Sequence, residues 1–182
     1  MRKLVFSINV SLDGFADHTV AIADDELHDF FTAQLDTLDA ELFGRVTYQL
    51  LESYWPVAPM DPAATKSDIV FANKINALPK IVFSNTLQSA GWNNTKLVKG
   101  NAVDEIRKLK LGNGKSMSVG GISIAQALMK LSLIDEFWLL IHPVIAGKGR
   151  RLFAGGNEKH DLKLVDTCTF RSGVVVLHYM LG

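Results

Sequence analysis

The sequence predicts an α/β fold: a three-layer sandwich around one mixed, mainly parallel sheet, closed at one edge by a C-terminal antiparallel hairpin. Three observations carry this prediction. Short apolar runs rich in Val, Ile, Leu and Phe alternate with amphipathic helical stretches, an order that lays successive strands parallel and covers both faces. The stretch "LKLVDTCTFRSGVVVLHYML" at 162–181 is two β runs joined by Arg171-Ser172-Gly173, the pattern of a hairpin. No repeat, low-complexity block or long linker divides the 182 residues, so 1–182 reads as a single domain.

Each element has its own warrant. "KLVFSINVSL" at 3–12 is a strand ended by the turn pair Asp13-Gly14. In "DDELHDFFTAQL", Leu27, Phe30, Phe31 and Leu35 recur at helical spacing, with Asp24 or Asp25 placed to cap the first turn. "AELF" at 40–43 is a short strand, and "GRVTYQLLESYW" restarts a helix with Val46, Leu50 and Tyr54 on one face. A helix over roughly 63–76 leads to the strand "PKIVFSN", where Pro79 is tolerated at the strand start. A strand near 95–98, a helix over 101–110, a strand over 115–119, a helix over 121–131 and the strand "IDEFWLLIHPVI" complete the alternation.

Composition excludes several functions. Lys plus Arg and Asp plus Glu both number 19, so no global field draws in nucleic acid or an anionic membrane. The single Cys168 forbids an intrachain disulfide framework or a cysteine-rich zinc site, and no His-x-x-x-His pair accompanies it; no metal is expected. The basic start "MRK" precedes an apolar run too short for a signal-peptide core, and no stretch approaches bilayer length. These readings predict a soluble, cytoplasmic protein.

The chemistry concentrates where strands run into helices. In open α/β sheets ligands sit outside the strand carboxyl ends, where helix N-termini offer unpaired N–H groups. Gly120-Gly121 in "SVGGISIAQALM" marks such a joint; it either lets a phosphate approach the amides of Ile122 and Ser123 or is a plain tight turn. In "LFGRVTY", Gly44 opens a helix, Arg45 can fork onto phosphate oxygens or simply face solvent, and Thr47 supplies a hydroxyl. Ser84 and Asn85 end a third strand, as ribose donors or as ordinary turn residues. "GNGKSM" fits neither the Rossmann fingerprint nor a P-loop, because the third glycine and the earlier P-loop glycine are missing. A rival reading takes "GISIA" at 121–125 as a nucleophile elbow, with Ser123 followed by Asp135 or Asp161 and then His178. A non-catalytic nucleotide-binding protein is the third reading.

The stretches "SLDGF", "FGRVTY", "KIVFSN", "SVGGISIAQALM" and "IHPVIAGKGRRLF" together resemble, nearly end to end, the dihydrofolate reductase superfamily. Within it the resemblance is to the reductase domain of bacterial riboflavin biosynthesis and its stand-alone relatives. The resemblance implies an NADPH-dependent reductase transferring hydride to a small heterocyclic substrate. Gly44, Arg45 and Thr47 would meet the pyrophosphate and 2′-phosphate. Gly120, Gly121, Ile122 and Ser123 would hold the pyrophosphate from the other helix, and Ser84 and Asn85 would lie beside the ribose. Ser11, Leu12 and Asp13 would lie near the reacting ring, and Pro143 on the substrate-side wall. The Trp and Pro that precede a buried carboxylate in folate reductases are missing from "FADHTVAIADDELHDFF", which argues against folate. Asp13 is the candidate for proton supply or substrate anchoring, against an ordinary Asp-Gly turn. Asn9, polar within an apolar strand, points into the cleft or to solvent; Trp55 walls the pocket or packs in the core. A homodimer is implied by the same similarity, with the C-terminal hairpin a candidate contact.

Overall fold

The computed structural model describes residues 1–16, 18–153 and 159–182. Eight strands form one sheet in the order β4-β3-β2-β5-β1-β6-β8-β7. In chain order these are β1 Leu4–Ser11, β2 Leu38–Gly44, β3 Lys80–Phe83, β4 Thr95–Val98, β5 Ser116–Gly120, β6 Glu136–His142, β7 Leu162–Thr169 and β8 Val175–Leu181. The first six are mutually parallel; β8 pairs antiparallel with both β6 and β7. The mixed sheet and its closing hairpin are those the sequence predicts.

Helices cover both faces. On one lie α1 (Asp25–Asp36) and α3 (Lys66–Ala77), with α2 (Arg45–Glu52) at the rim. Leu35 of α1, Phe71 and Ile75 of α3 and Tyr48 of α2 pack there against Phe43 and Val82. On the other face, Ile106 of α4 (Ala102–Leu111) and Ala125, Leu128 and Met129 of α5 (Ile122–Met129) meet Leu4, Phe6, Leu42, Met117 and Val119. Alternate residues of each strand therefore serve different layers, as the two-residue period requires.

Local chemistry sets the boundaries. Asp24 caps α1 by accepting the Leu27 N–H at 2.8 Å, and Thr65 with Asp68 forms a capping box at the start of α3. The helix expected to reach Trp55 stops at Glu52: the chain tightens into turns, with the Trp55 N–H bonded to the Leu51 carbonyl, because Pro56 disfavours helical backbone at the residue before it. The strand expected to run to 145 ends at His142, where Pro143 has no N–H to extend the ladder. Among the described residues no helix is long and apolar enough to cross a membrane.

Candidate active site

Parallel strands put all their carboxyl ends on one rim, and β2 and β5 are neighbours there. Phe43 lies opposite Gly120 across the pair, so α2 and α5 begin side by side. A Cβ built on Gly44 would stand 3.8 Å from Ile124 Cγ2, and one on Gly121 would stand 2.7 Å from Thr47 Oγ1. The two joints singled out in the sequence thus meet at one place.

The geometry also explains the glycines. A Cβ on Gly120 would lie 2.7 Å from the Phe43 ring, and Gly121 has φ +110°, a conformation that L side chains rarely adopt. What comes so close to this backbone is the protein's own Phe43 and Thr47. The close approach of the β2–α2 joint is sufficient reason for both glycines, with or without a ligand.

Below this rim a cleft of about 880 Å³ runs between the sheet and α1. Gly44, Arg45, Thr47, Gly120, Gly121, Ile122 and Ser123 all line its rim end. Arg150 joins them, donating to Ser123 Oγ at 2.8 Å, while Arg45 donates to Gln49 Oε1 at 3.1 Å. Two helix N-termini, two guanidinium groups and two hydroxyls make this end a donor set for anions. The far end is of opposite character. His28 pairs with Asp68 at 2.6 Å and packs against Trp55 and Phe71, separating the cleft from a smaller hollow of about 520 Å³ that Asp24, Asp25 and Asp68 help to line.

Of the alternatives open for each, Asn9 lies on the cleft wall, and Trp55 both lines the cleft and packs against the core. Asn9 is oriented by a buried neighbour: His142 Nδ1 accepts the Ile22 N–H at 3.1 Å, which leaves its Nε2 to donate to Asn9 Oδ1 at 3.0 Å. The Asn9 amide N–H groups are then left for the cleft. Burial holds the His142 pKa below its ordinary value, so the imidazole stays neutral and the arrangement persists at neutral pH.

Six other sequence candidates lie off the cleft wall. Asp13 accepts from Ser11 Oγ at 2.6 Å and from the Ala146 and Gly147 amides at 3.0 and 2.8 Å, which pulls its pKa down to about 2. An acid so firmly ionised has no proton to supply at neutral pH; it ties the 146–147 loop to the end of β1. Ser11 is spent on this turn, also accepting the Phe15 N–H at 3.0 Å, and Leu12 is exposed. Ser84 Oγ accepts from the Leu87 amide at 2.9 Å, and Asn85 Oδ1 from the Gly100 amide at 2.7 Å, so both hold their own loops. Pro143 packs beside Gly173 of the β7–β8 turn. The hydrolase constellation does not assemble. Ser123 Oγ meets Arg150, His178 stacks on Trp138 with Glu136 at 3.3 Å, and Asp135 pairs with Lys110 at the opposite, amino end of the sheet.

The sequence reading singled out none of Arg150, Gln34, Glu41, Ser118 and His142. The cleft floor carries Ser7, Gln34, Glu41 and Ser118. Ser118 Oγ donates to Glu41 Oε2 and Ser7 Oγ to Gln34 Oε1, both at 2.8 Å. Burial raises the Glu41 pKa to about 7, against a smaller lowering by the Ser118 hydrogen bond and the charge of Lys80. One signal was available: a lone acid in "AELF", inside a strand buried on both faces, needs a reason to be there.

This architecture recurs in known proteins. The RibD C-terminal domain family matches residues 2–176. The chain belongs to that family. Protein YyaP of Bacillus subtilis (strain 168), itself described as uncharacterized, is 35% identical over 182 residues, covering 98% of this chain and 94% of its own. Among solved structures, a protein of Shewanella sp. PV-4 provisionally assigned to riboflavin biosynthesis superposes with a TM-score of 0.73 at 23% identity, covering 100% of this chain and 99% of its own. Dihydrofolate reductase from Enterococcus faecalis, complexed with NADP(H), gives 0.65 at 14% identity, covering 99% of this chain and 96% of its own. This RibD C-terminal domain therefore has the dihydrofolate reductase-like fold.

Proposed function

We propose that the protein is an NADPH-dependent reductase of the RibD C-terminal type, acting on a small flat heterocycle that carries a C=N or C=O bond. One observation carries the reading: the N-termini of α2 and α5 lie side by side, flanked by Arg45 and Arg150, at one end of a single cleft. The donor set there fits a diphosphate and an additional phosphate. Gly44, Thr47, Gly121, Ile122 and Ser123 would hold the former, while Arg45 and Arg150 neutralise charge. When bound, the nicotinamide supplies a hydride. The chain's own part is to orient the substrate through Asn9 and Trp55 and to exclude water with the apolar wall of α1 and α3. The E. faecalis reductase supports the choice of cofactor, and membership of the family supports the reaction class.

Fluorescence titration with NADPH and NADH tests the reading. Arg45→Ala and Arg150→Ala are each expected to weaken NADPH about tenfold, the size of one charge-assisted hydrogen bond at an exposed site, with a smaller loss for NADH from whichever arginine faces the 2′-phosphate. No binding of NADPH by the unaltered protein would end the reductase reading; binding without turnover of any carbonyl or imine would favour a nucleotide-binding protein without catalysis. The same proposal makes the working form a cytoplasmic homodimer joined through the hairpin. In support, every residue of β7 is exposed and among the described residues no strand pairs with its outer edge, with Leu164 and Val165 on the surface. Light scattering measures that assembly directly.

A further inference from the structure

The floor of the cleft is polar although the packing around it is apolar. Glu41 of β2, Ser118 of β5, Ser7 of β1 and Gln34 of α1 converge there from four elements. Val5, Ser118, Glu41 and Lys80 stand side by side across β1, β5, β2 and β3, so Glu41 has a lysine for its neighbour. That lysine is already committed. Its ammonium donates to the carbonyls of Ile75, Asn76 and Leu78 at 2.8, 3.2 and 2.8 Å and lies 4.5 Å from the centre of a Trp92 ring. Among the other charged groups on the surrounding elements, His28 pairs with Asp68, Asp39 with Arg2 and Lys74 with Asp36. Glu41 is left with one hydroxyl.

Two atoms of this cluster have no partner among the described residues. Glu41 Oε1 has none, and Gln34 Nε2, screened from solvent, has none either. Buried amide N–H groups are almost always paired, so an unpaired one on a side chain that lines the cleft lacks an acceptor that a bound molecule can supply. A carboxyl lining the same cleft, in surroundings that favour its neutral form, is both a proton donor and a hydrogen-bond acceptor.

We propose that Glu41 is a catalytic residue that donates the proton in the reduction, with Gln34 positioning the substrate atom that receives it. The proposal rests on the reductase reading above. In the step, the carbon of the substrate's C=N or C=O bond gains a hydride from the nicotinamide reductant. The π pair moves to the nitrogen or oxygen, and that atom takes the Glu41 proton. The substrate gains two electrons and two hydrogens, the dihydronicotinamide leaves oxidised, and the Glu41 carboxylate recovers its proton from water. Ser118 positions the carboxyl by holding Oε2, so that Oε1 faces the cleft.

The first measurement needs no cofactor or substrate. In protein labelled with 13C at its glutamate carboxyls, the resonance missing from Glu41→Gln is expected to titrate near pH 7, and Ser118→Ala to raise that midpoint. The second follows NADPH oxidation with 1-pyrroline and 2-cyclohexenone as probe acceptors. Wild-type kcat is expected to fall as pH rises through 7, and Glu41→Gln to lose at least about 100-fold in kcat together with that pH limb, while its affinity for NADPH stays within twofold. Gln34→Leu is expected to act mainly on KM. A Glu41 resonance titrating below pH 5 would overturn the proposal. So would a Glu41→Gln protein turning over within threefold of wild type with an unchanged pH limb. Failure of NADPH to bind would instead remove the reductase reading, a result distinguishable because the titration is made on the unliganded protein.

Discussion

The rim and the floor of the cleft are built from different materials. The rim, where α2 and α5 begin, is made of backbone amides, and its fit depends on missing side chains: Gly120 lies under the Phe43 ring and Gly121 against Thr47. The floor is made of side chains from four separate elements, and its fit depends on protonation, with Glu41 titrating near neutrality. Steric constraint therefore dominates the rim and electrostatics the floor. Mutations should separate them by whether their effect depends on pH.

The largest effect is expected at the rim. Gly121→Ala forces an L side chain into φ +110° and puts a Cβ 2.7 Å from Thr47 Oγ1. Backbone strain plus overpacking predicts a loss of about 4 kcal/mol in chemical denaturation, the same at pH 5 and pH 9. A loss that varied strongly with pH would break the distinction between rim and floor.

At the floor the expected effect is smaller and has a pH signature. Because folding raises the Glu41 pKa from 4.5 to about 7, the native state holds a proton that the unfolded chain releases between those values. Stability should therefore decline as pH rises from about 4.5 to 7 and stay lower above that. Glu41→Gln removes the decline. Relative to wild type it should gain up to about 3 kcal/mol at pH 8 and little at pH 4, read from denaturation midpoints across pH.

Asp13 provides the smallest effect and a control for both. It lies outside the cleft, and its folded pKa is depressed to about 2, so its contribution is present above the unfolded carboxylate value and lost only as pH falls toward 2. Asp13→Asn is expected to speed hydrogen exchange at the Ala146 and Gly147 amides between pH 6 and 8, with little change in Tm. A large fall in Tm would mean that the loop is part of the cleft's support.

The same contrast explains what was legible in the sequence. Periodicity and turn chemistry locate the alternating strands and helices, and Gly44 and Gly121 mark the strand-to-helix joints, because each is a local feature of a few consecutive residues. Ser84, Asn85, Asp13 and Pro143 stand at strand ends and so looked like rim residues. Polar groups there can close their own loops, and Ser84, Asn85 and Asp13 do so, with partners 2 to 134 residues away. The floor was illegible for the converse reason. Glu41 and Ser118 are 77 residues apart and Ser7 and Gln34 are 27 apart, and only the sheet order brings them to one place. The lone carboxylate in "AELF" was the readable trace.

Lys80 closes the corner between α3 and β3, its ammonium bonded to three carbonyls and its pKa lowered to about 8 by burial. Such an amine is shielded from acylating reagents while the fold is intact and reacts as an ordinary lysine once that corner opens. Its labelling rate, followed by mass spectrometry against the exposed Lys163 on the hairpin, would report how often this part of the molecule breathes.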